Sequence, residues 1–322
     1  MHGAQRKTYL LFVQGARILD ISLISGPHFM YMLTSFVIAA SAAISAAPAM
    51  SANFTVLCDN SGEEVAPKSC NIKLSGAIEK GDAQKLLRIV RTPQQPGGSY
   101  GSLVLDSPGG SIAAALELSA AVRNTLLYTA TGRLTPVGVE TYRCVSACFL
   151  VWVAGAQRIS TAFLMPRRAD GTSEIGLHRP YFEREAYERS PNEVAARQQQ
   201  ATRLTSEYLM NEQVPQELIE KMLSRASTQV YWVGPEDVNI SGMSPWFEEM
   251  MIARCGFDPT RTEEAARYAV ERKVKRWAAT GSLEIADPAG KDLREQQDEE
   301  LSRRYFACQQ AVQVSTQRAL SR

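Results

Sequence analysis

The chain has 322 residues, 45% of them hydrophobic and 21% charged, with a formal net charge of +1. That composition suits one sizeable core plus a smaller appendage and excludes wholesale disorder. The first 52 residues carry Arg6, Lys7, Arg17 and Asp20; without them the balance stays near neutral, so no nucleic-acid partner is expected.

Arg6, Lys7 and Arg17 precede an uncharged run at 29–49 that grows richer in Ala and Ser toward its end. Ala47-Pro48-Ala49 has the small–x–small form of a signal-peptidase site, and Ala49-Met50-Ser51 gives a second frame. The run is also long enough for a single bilayer span or a buried helix. The resulting expectation is an exported chain, either periplasmic after cleavage or attached to the inner membrane through residues 29–49. All six cysteines, Cys58, Cys70, Cys144, Cys148, Cys255 and Cys308, follow this run. An even set in an exported chain points to disulfides. Of the 15 complete pairings six cysteines allow, Cys58 with Cys70 would close a short loop, and Cys255 with Cys308 could staple the tail to the body. Cys144 and Cys148 either bridge or serve as small buried residues. The spacings lack histidine partners, so neither a metal nor any other cofactor is expected.

In chain order, 54–57 reads as a short strand, and a turn region at 59–69 follows. Residues 71–76 alternate apolar and polar side chains and stop at Gly76, as a strand does. An amphipathic helix is expected over 80–91, with Asp82 near its start, and Pro93, Pro96, Gly97 and Gly98 then break the chain. A strand at 101–106 runs into Ser107-Pro108-Gly109-Gly110-Ser111 and an apolar-faced helix at 112–124. Further strands are read near 126–130 and 138–142, then a compact, nearly uncharged segment at 144–153 ended by Gly155. Strands or strand-edge loops follow at 158–164 and 173–177. Residues 183–224 are charged and Gln-rich, apolar every three or four positions, as in one or two partly exposed helices that cover a site. A strand at 230–233 and a short helix opened by Pro235-Glu236-Asp237 complete an α/β alternation over 70–250. Beyond Cys255 the chain is charged and alanine-rich, with helical runs at 260–280 and 291–320.

Of three histidines, His2 and His28 lie in the targeting region, which leaves His178, in Ile175-Gly176-Leu177-His178-Arg179-Pro180, to move a proton near neutral pH. Ser146 stands where an apolar helix begins. Free amide groups and the positive end of the helix dipole gather there, so it is a candidate nucleophile as well as an ordinary N-cap. The Ala147 N–H is a candidate oxyanion donor, and glycines directly after a strand let the Gly109 or Gly110 N–H supply a second. No phosphate-binding glycine pattern is present.

Together Ser107-Pro108-Gly109-Gly110, the run from Ser146 to Ala154-Gly155, and Ile175 to Pro180 resemble the ClpP-like serine peptidases of the ClpP/crotonase superfamily, and more closely their exported bacterial relatives. The resemblance covers roughly residues 70–245. It implies a ClpP/crotonase-like spiral of strand–helix units at 53–255, after a leader or anchor at 1–52 and with an added helical region at 256–322. It further implies hydrolysis of peptide bonds in peptides or unfolded protein, with Ser146 as nucleophile, His178 as base, Gly110 (or Gly109) and Ala147 as the oxyanion hole, and self-association into homo-oligomers. The chain departs from that family at the third member: Gln229, or Thr228 with a one-residue gap, stands where the orienting carboxylate belongs. Asp237 comes too late in the motif, and Asp170 or Glu174 demands unusual geometry. A Ser–His pair oriented by a hydroxyl, an amide or a backbone carbonyl is one outcome. A catalytically silent binding or scaffold protein, or a crotonase-type acyl-thioester enzyme, is another.

Overall fold

The alternating run at 71–76 forms most of β2 (Ser69–Ser75), and its apolar members Ile72 and Leu74 are fully buried. β1 (Asn53–Cys58) lies antiparallel beside it with Cys58 opposite Cys70, and a disulfide joins the two. The computed structural model describes residues 52–58, 69–92, 99–135, 138–160, 174–181, 190–226, 228–234, 237, 240–262, 264 and 293–321. These lie in the unit Ala49–Arg322. Several expectations fall outside the described residues: the leader at 29–49 with its cleavage frames, the turn at 59–68, the break at 93–98, Asp170, and the helical run beyond 264.

After β2, Gly81 adopts φ 97° and starts α1 (Asp82–Arg91), whose Leu86 and Val90 enter the core. β3 (Ser99–Asp106) follows, then the glycine turn, and Ser111 caps α2 (Ile112–Thr125) by accepting from the Ala114 N–H. The strand expected at 126–130 begins only at β4 (Tyr128–Ala130), because Leu126 is the left-handed residue that ends α2 (φ 54°). β5 (Gly132–Thr135) and β6 (Gly138–Thr141) pair as an antiparallel hairpin. The two-residue β7 (Cys144–Val145) leads through Ser146 into α3 (Cys148–Val153), all six residues of which are buried. β8 (Gln157–Ile159), β9 (Ile175–Leu177), the helices α4 (Pro191–Asn211) and α5 (Gln216–Ser224), then β10 (Tyr231–Trp232) and β11 (Gly242–Met243) complete the body. α6 (Pro245–Cys255) and the long α7 (Leu293–Leu320) form the tail.

This is a mixed α/β fold with three sheets. The largest has the order β1-β2-β3-β4-β8-β11, parallel from β2 to β8 and antiparallel at both edges. The second has the order β10-β9-β7, with β7 and β9 parallel. Isolated parallel bridges, Ile78 to Gly110 and Ser107 to Cys144, tie the ends of β2 and β3 to this second sheet. The main core runs from the larger sheet through α1 and α2 to α3 and α5. A buried network fixes α4 against α3. Arg158 (4% exposed) donates to Val153 O and to Glu212, whose carboxylate also pairs with Arg123, while Tyr208 and Ser119 both donate to Leu150 O.

The tail is docked by two buried glutamines. The Gln317 side-chain amide donates to Tyr100 O and Thr125 O and accepts from Tyr100 N–H; Gln313 donates to Gly101 O and Leu126 O. Cys255–Cys308 adds a covalent link between α6 and α7.

The expectation of membrane attachment is corrected here. A span needs about 20 consecutive apolar residues, and among the described residues no helix is long and apolar enough to cross a membrane. The longest two, α4 and α7, are studded with charges and glutamines. The segment at 29–49 lies outside the described residues. Inner-membrane attachment, the periplasmic placement coupled to it, and self-association find no support among the described residues and are not carried further.

Candidate functional site

Where β3 ends, Ser107 bridges to Cys144: the Ser107 N–H donates to Arg143 O (2.7 Å) and the Val145 N–H donates to Ser107 O (2.9 Å). The Ser107 hydroxyl turns back and accepts from the Gly109 N–H at 3.1 Å. Gly109 and Gly110 then take φ 103° and 145°, values that side-chain-bearing residues rarely adopt. Space demands glycine as well. A Cβ on Gly109 would lie 2.7 Å from both Ser146 Cβ and Val145 O, and one on Gly110 would lie 2.2 Å from Ile78 O. Ile78 donates to Gly109 O and accepts from the Ser111 N–H, a pattern that skips the Gly110 N–H.

Ser146 follows β7 directly and has φ 58°, one of three non-glycine residues with positive φ among the described residues. The left-handed region costs a serine roughly 1–2 kcal/mol, so neighbours must hold it there. Its N–H donates to Gly176 O on β9 (2.8 Å), and its C=O accepts from the Phe149 N–H (3.0 Å). A disulfide joins Cys144 to Cys148 around it. Ala147, at φ −58° and ψ −21°, already has right-handed helical geometry, so its N–H is a first-turn amide of α3.

His178 follows β9 as Ser146 follows β7. The register pairs Cys144 with Ile175 and Val145 with Gly176 in parallel, so both residues emerge at the same end of adjacent strands, with Leu177 at the register position of Ser146 and His178 one residue further on. His178 is 8% exposed. Its Nδ1 lies 2.9 Å from Arg179 O; a carbonyl can only accept, so Nδ1 is the donor, and in the neutral ring Nε2 is then the acceptor. The Tyr181 ring lies beside the imidazole, with centroids 5.4 Å apart. Gln198 of α4 donates to Pro180 O, which holds α4 against this loop.

The Ser146 hydroxyl has no hydrogen bond to His178 or to any other group among the described residues. No carboxylate among them bonds the imidazole either. Glu174, which begins the stretch leading to β9, is buried and accepts from Thr131 Oγ1 (2.5 Å) and Ser160 Oγ (3.1 Å). Asp237 accepts from the Tyr231 hydroxyl, the Gly234 N–H and Lys221 Nζ. Burial, with the Asp237 bond next, raises the Tyr231 hydroxyl above the ordinary phenol range. Thr228 and Gln229 are exposed, and neither side chain bonds His178. The group that orients the imidazole is the Arg179 carbonyl.

The fold thus draws Ser146, His178, Gly109, Gly110 and Ala147 from three segments, while Thr228 and Gln229 are exposed and bond none of them. Sequence reasoning missed the Arg179 carbonyl, the Tyr181 ring and the Ser107 hydroxyl. A carbonyl leaves no mark in a sequence, and Ser107 is indistinguishable there from any turn serine. Chemically, the cluster offers a hydroxyl, an imidazole with one nitrogen free, and two amides outside any ladder or helix bond. No family model matches the chain, and no curated protein matches it.

Proposed function

We propose that the chain is a serine peptidase of the ClpP-like kind in which Ser146 and His178 act without a carboxylate. The observation that carries this reading is the parallel pairing of β7 with β9, which ends both strands at the two candidate residues. In the mechanism, Ser146 Oγ attacks the peptide carbonyl while His178 Nε2 takes its proton. The imidazolium then protonates the departing amine, and water repeats the cycle on the acyl-serine. The Gly110 and Ala147 N–H groups hold the oxyanion. The Arg179 carbonyl keeps the proton on Nδ1 but adds no negative charge, and loss of an orienting carboxylate in a triad lowers kcat about 10⁴-fold. Slow turnover follows.

The strand order supports a spiral. β2, β3, β4 and β8 enter the larger sheet in chain order, and Ile78, the 107–110 turn, β7 and β9 link in chain order beside it. β2, β3, β4 and β8 are thus each followed by a bridge or strand beside the larger sheet, an order that agrees with a spiral of strand–helix units.

The missing Ser146–His178 bond favours a second reading, a catalytically silent binding protein. A fluorophosphonate probe separates the two. Covalent labelling of the folded chain that disappears in both Ser146→Ala and His178→Ala supports the peptidase; an unlabelled folded chain leaves the binding protein.

A further inference from the structure

Three features meet at Ser146. The chain passes from a parallel strand to a buried helix within the five residues 144–148, and Ser146 alone makes the bend at φ 58°. β9 runs one residue beyond the last partner of β7: Val145 pairs with Gly176, and Leu177 stands in an open register position beside Ser146. The bond from the Ser146 N–H to Gly176 O closes the Val145–Gly176 pair and is the last bond of that ladder. An extended Ser146 would therefore lengthen β7, remove the left-handed strain and carry the hydroxyl away from the strand end. Cys144 and Cys148 sit on either side, with Cα atoms 5.2 Å apart. Four extended steps would separate those atoms by about 13 Å, so the bridge is incompatible with strand continuation. Both cysteines are fully buried, whereas Cys58, Cys255 and Cys308 in the other two bridges are only partly buried.

We infer that the Cys144–Cys148 disulfide is a positioning device: it ends β7 at Val145 and holds Ser146 in the left-handed bend that presents its hydroxyl at the end of the strand. The catalytic use of that position rests on the peptidase reading; the backbone claim does not. Because no part of the bridge is exposed, it is permanent in the folded chain, and the site works only in molecules that acquired it during folding.

The test compares Cys144→Ala/Cys148→Ala with Cys255→Ala/Cys308→Ala in the full chain. Two quantities are read where all chains are folded: the rate of fluorophosphonate labelling and the hydrogen-exchange rate of the Ser146 amide. Loss of the inner bridge is expected to slow labelling at least tenfold and speed Ser146 exchange at least tenfold, with β2 and β3 amides unchanged. Loss of the outer bridge changes neither quantity. Equal effects from the two pairs, or unchanged Ser146 exchange without the inner bridge, overturn the inference. If the parent chain does not label, the peptidase reading fails, and amide exchange alone still decides the positioning claim. Should the double-alanine chain not fold, Cys144→Val/Cys148→Ala refills the cavity and is scored the same way.

Discussion

Replacing Gly109 with alanine probes the contact between the glycine turn and Ser146. The new methyl carbon would lie 2.7 Å from Ser146 Cβ, 2.7 Å from Val145 O and 3.0 Å from Ala147 N. None of these atoms sits on a rotatable side-chain tip, so the backbone on one side must shift. Overpacking of this kind costs about 1–3 kcal/mol, and φ 103° adds roughly 1–2 kcal/mol for a residue with a side chain. A total near 2–5 kcal/mol is expected as a lowered urea midpoint at unchanged slope, read by circular dichroism with disulfides intact. Gly110→Ala clashes instead with Ile78 O at 2.2 Å, away from Ser146. When fully folded, Gly109→Ala should therefore label with fluorophosphonate more slowly than the parent chain, as should Gly110→Ala, which displaces its own oxyanion N–H. A loss below about 0.5 kcal/mol for Gly109→Ala, or labelling equal to the parent chain, would refute the packing argument.

Gln317→Leu removes three buried hydrogen bonds, to the Tyr100 N–H and to the Tyr100 and Thr125 carbonyls. It is expected to lower stability by about 2–4 kcal/mol in urea titration, while Gln309→Leu, nearer the exposed part of the same helix, costs less. The chain-entropy account ranks the bridges by the loops they close. Loss of Cys255–Cys308, separated by 53 residues, should cost about 4 kcal/mol, and loss of Cys144–Cys148, separated by 4, about 2 kcal/mol. Unfolding midpoints of the paired alanine variants check that order. Burial raises the Tyr128 hydroxyl to about 12, a rise the Gln309 bond partly offsets. The folded pKa thus exceeds the unfolded one, so this stabilisation is complete below pH ~10 and is lost as pH rises through about 12. The loss is about 2–3 kcal/mol in alkaline denaturation and should shrink in Tyr128→Phe.

Elements with a clear period or sharp punctuation were legible from residues alone. Ile72 and Leu74 alternate with polar neighbours and fill one face of β2, and Ser111 caps its helix as its place before an apolar run suggests. The turn at Gly109-Gly110 was readable because glycine alone fits a tight strand-to-helix connection, although its contact with Ser146 became visible only in space. Cys58–Cys70 and Cys255–Cys308 were two of the pairings that cysteine placement allowed without choosing among 15, whereas Cys144 and Cys148 gave two readings and the fold realises both, bridged and buried. The two-residue strands β7 and β10 are too short to carry any period, so the sheet whose strands β7 and β9 end just before Ser146 and His178 had no local signature. The glutamine docking of α7 was equally hidden, because Gln313 and Gln317 read as surface residues of a polar helix until β3 is placed against them.

The most direct test is a crystal structure of the chain after reaction with a fluorophosphonate. A Ser146 acting with His178 predicts a phosphonyl group on Ser146 Oγ, its oxygen within hydrogen-bond reach of the Gly110 and Ala147 N–H groups, and His178 Nε2 facing the adduct. An unmodified serine, or an adduct whose oxygen points away from both amides, would contradict it.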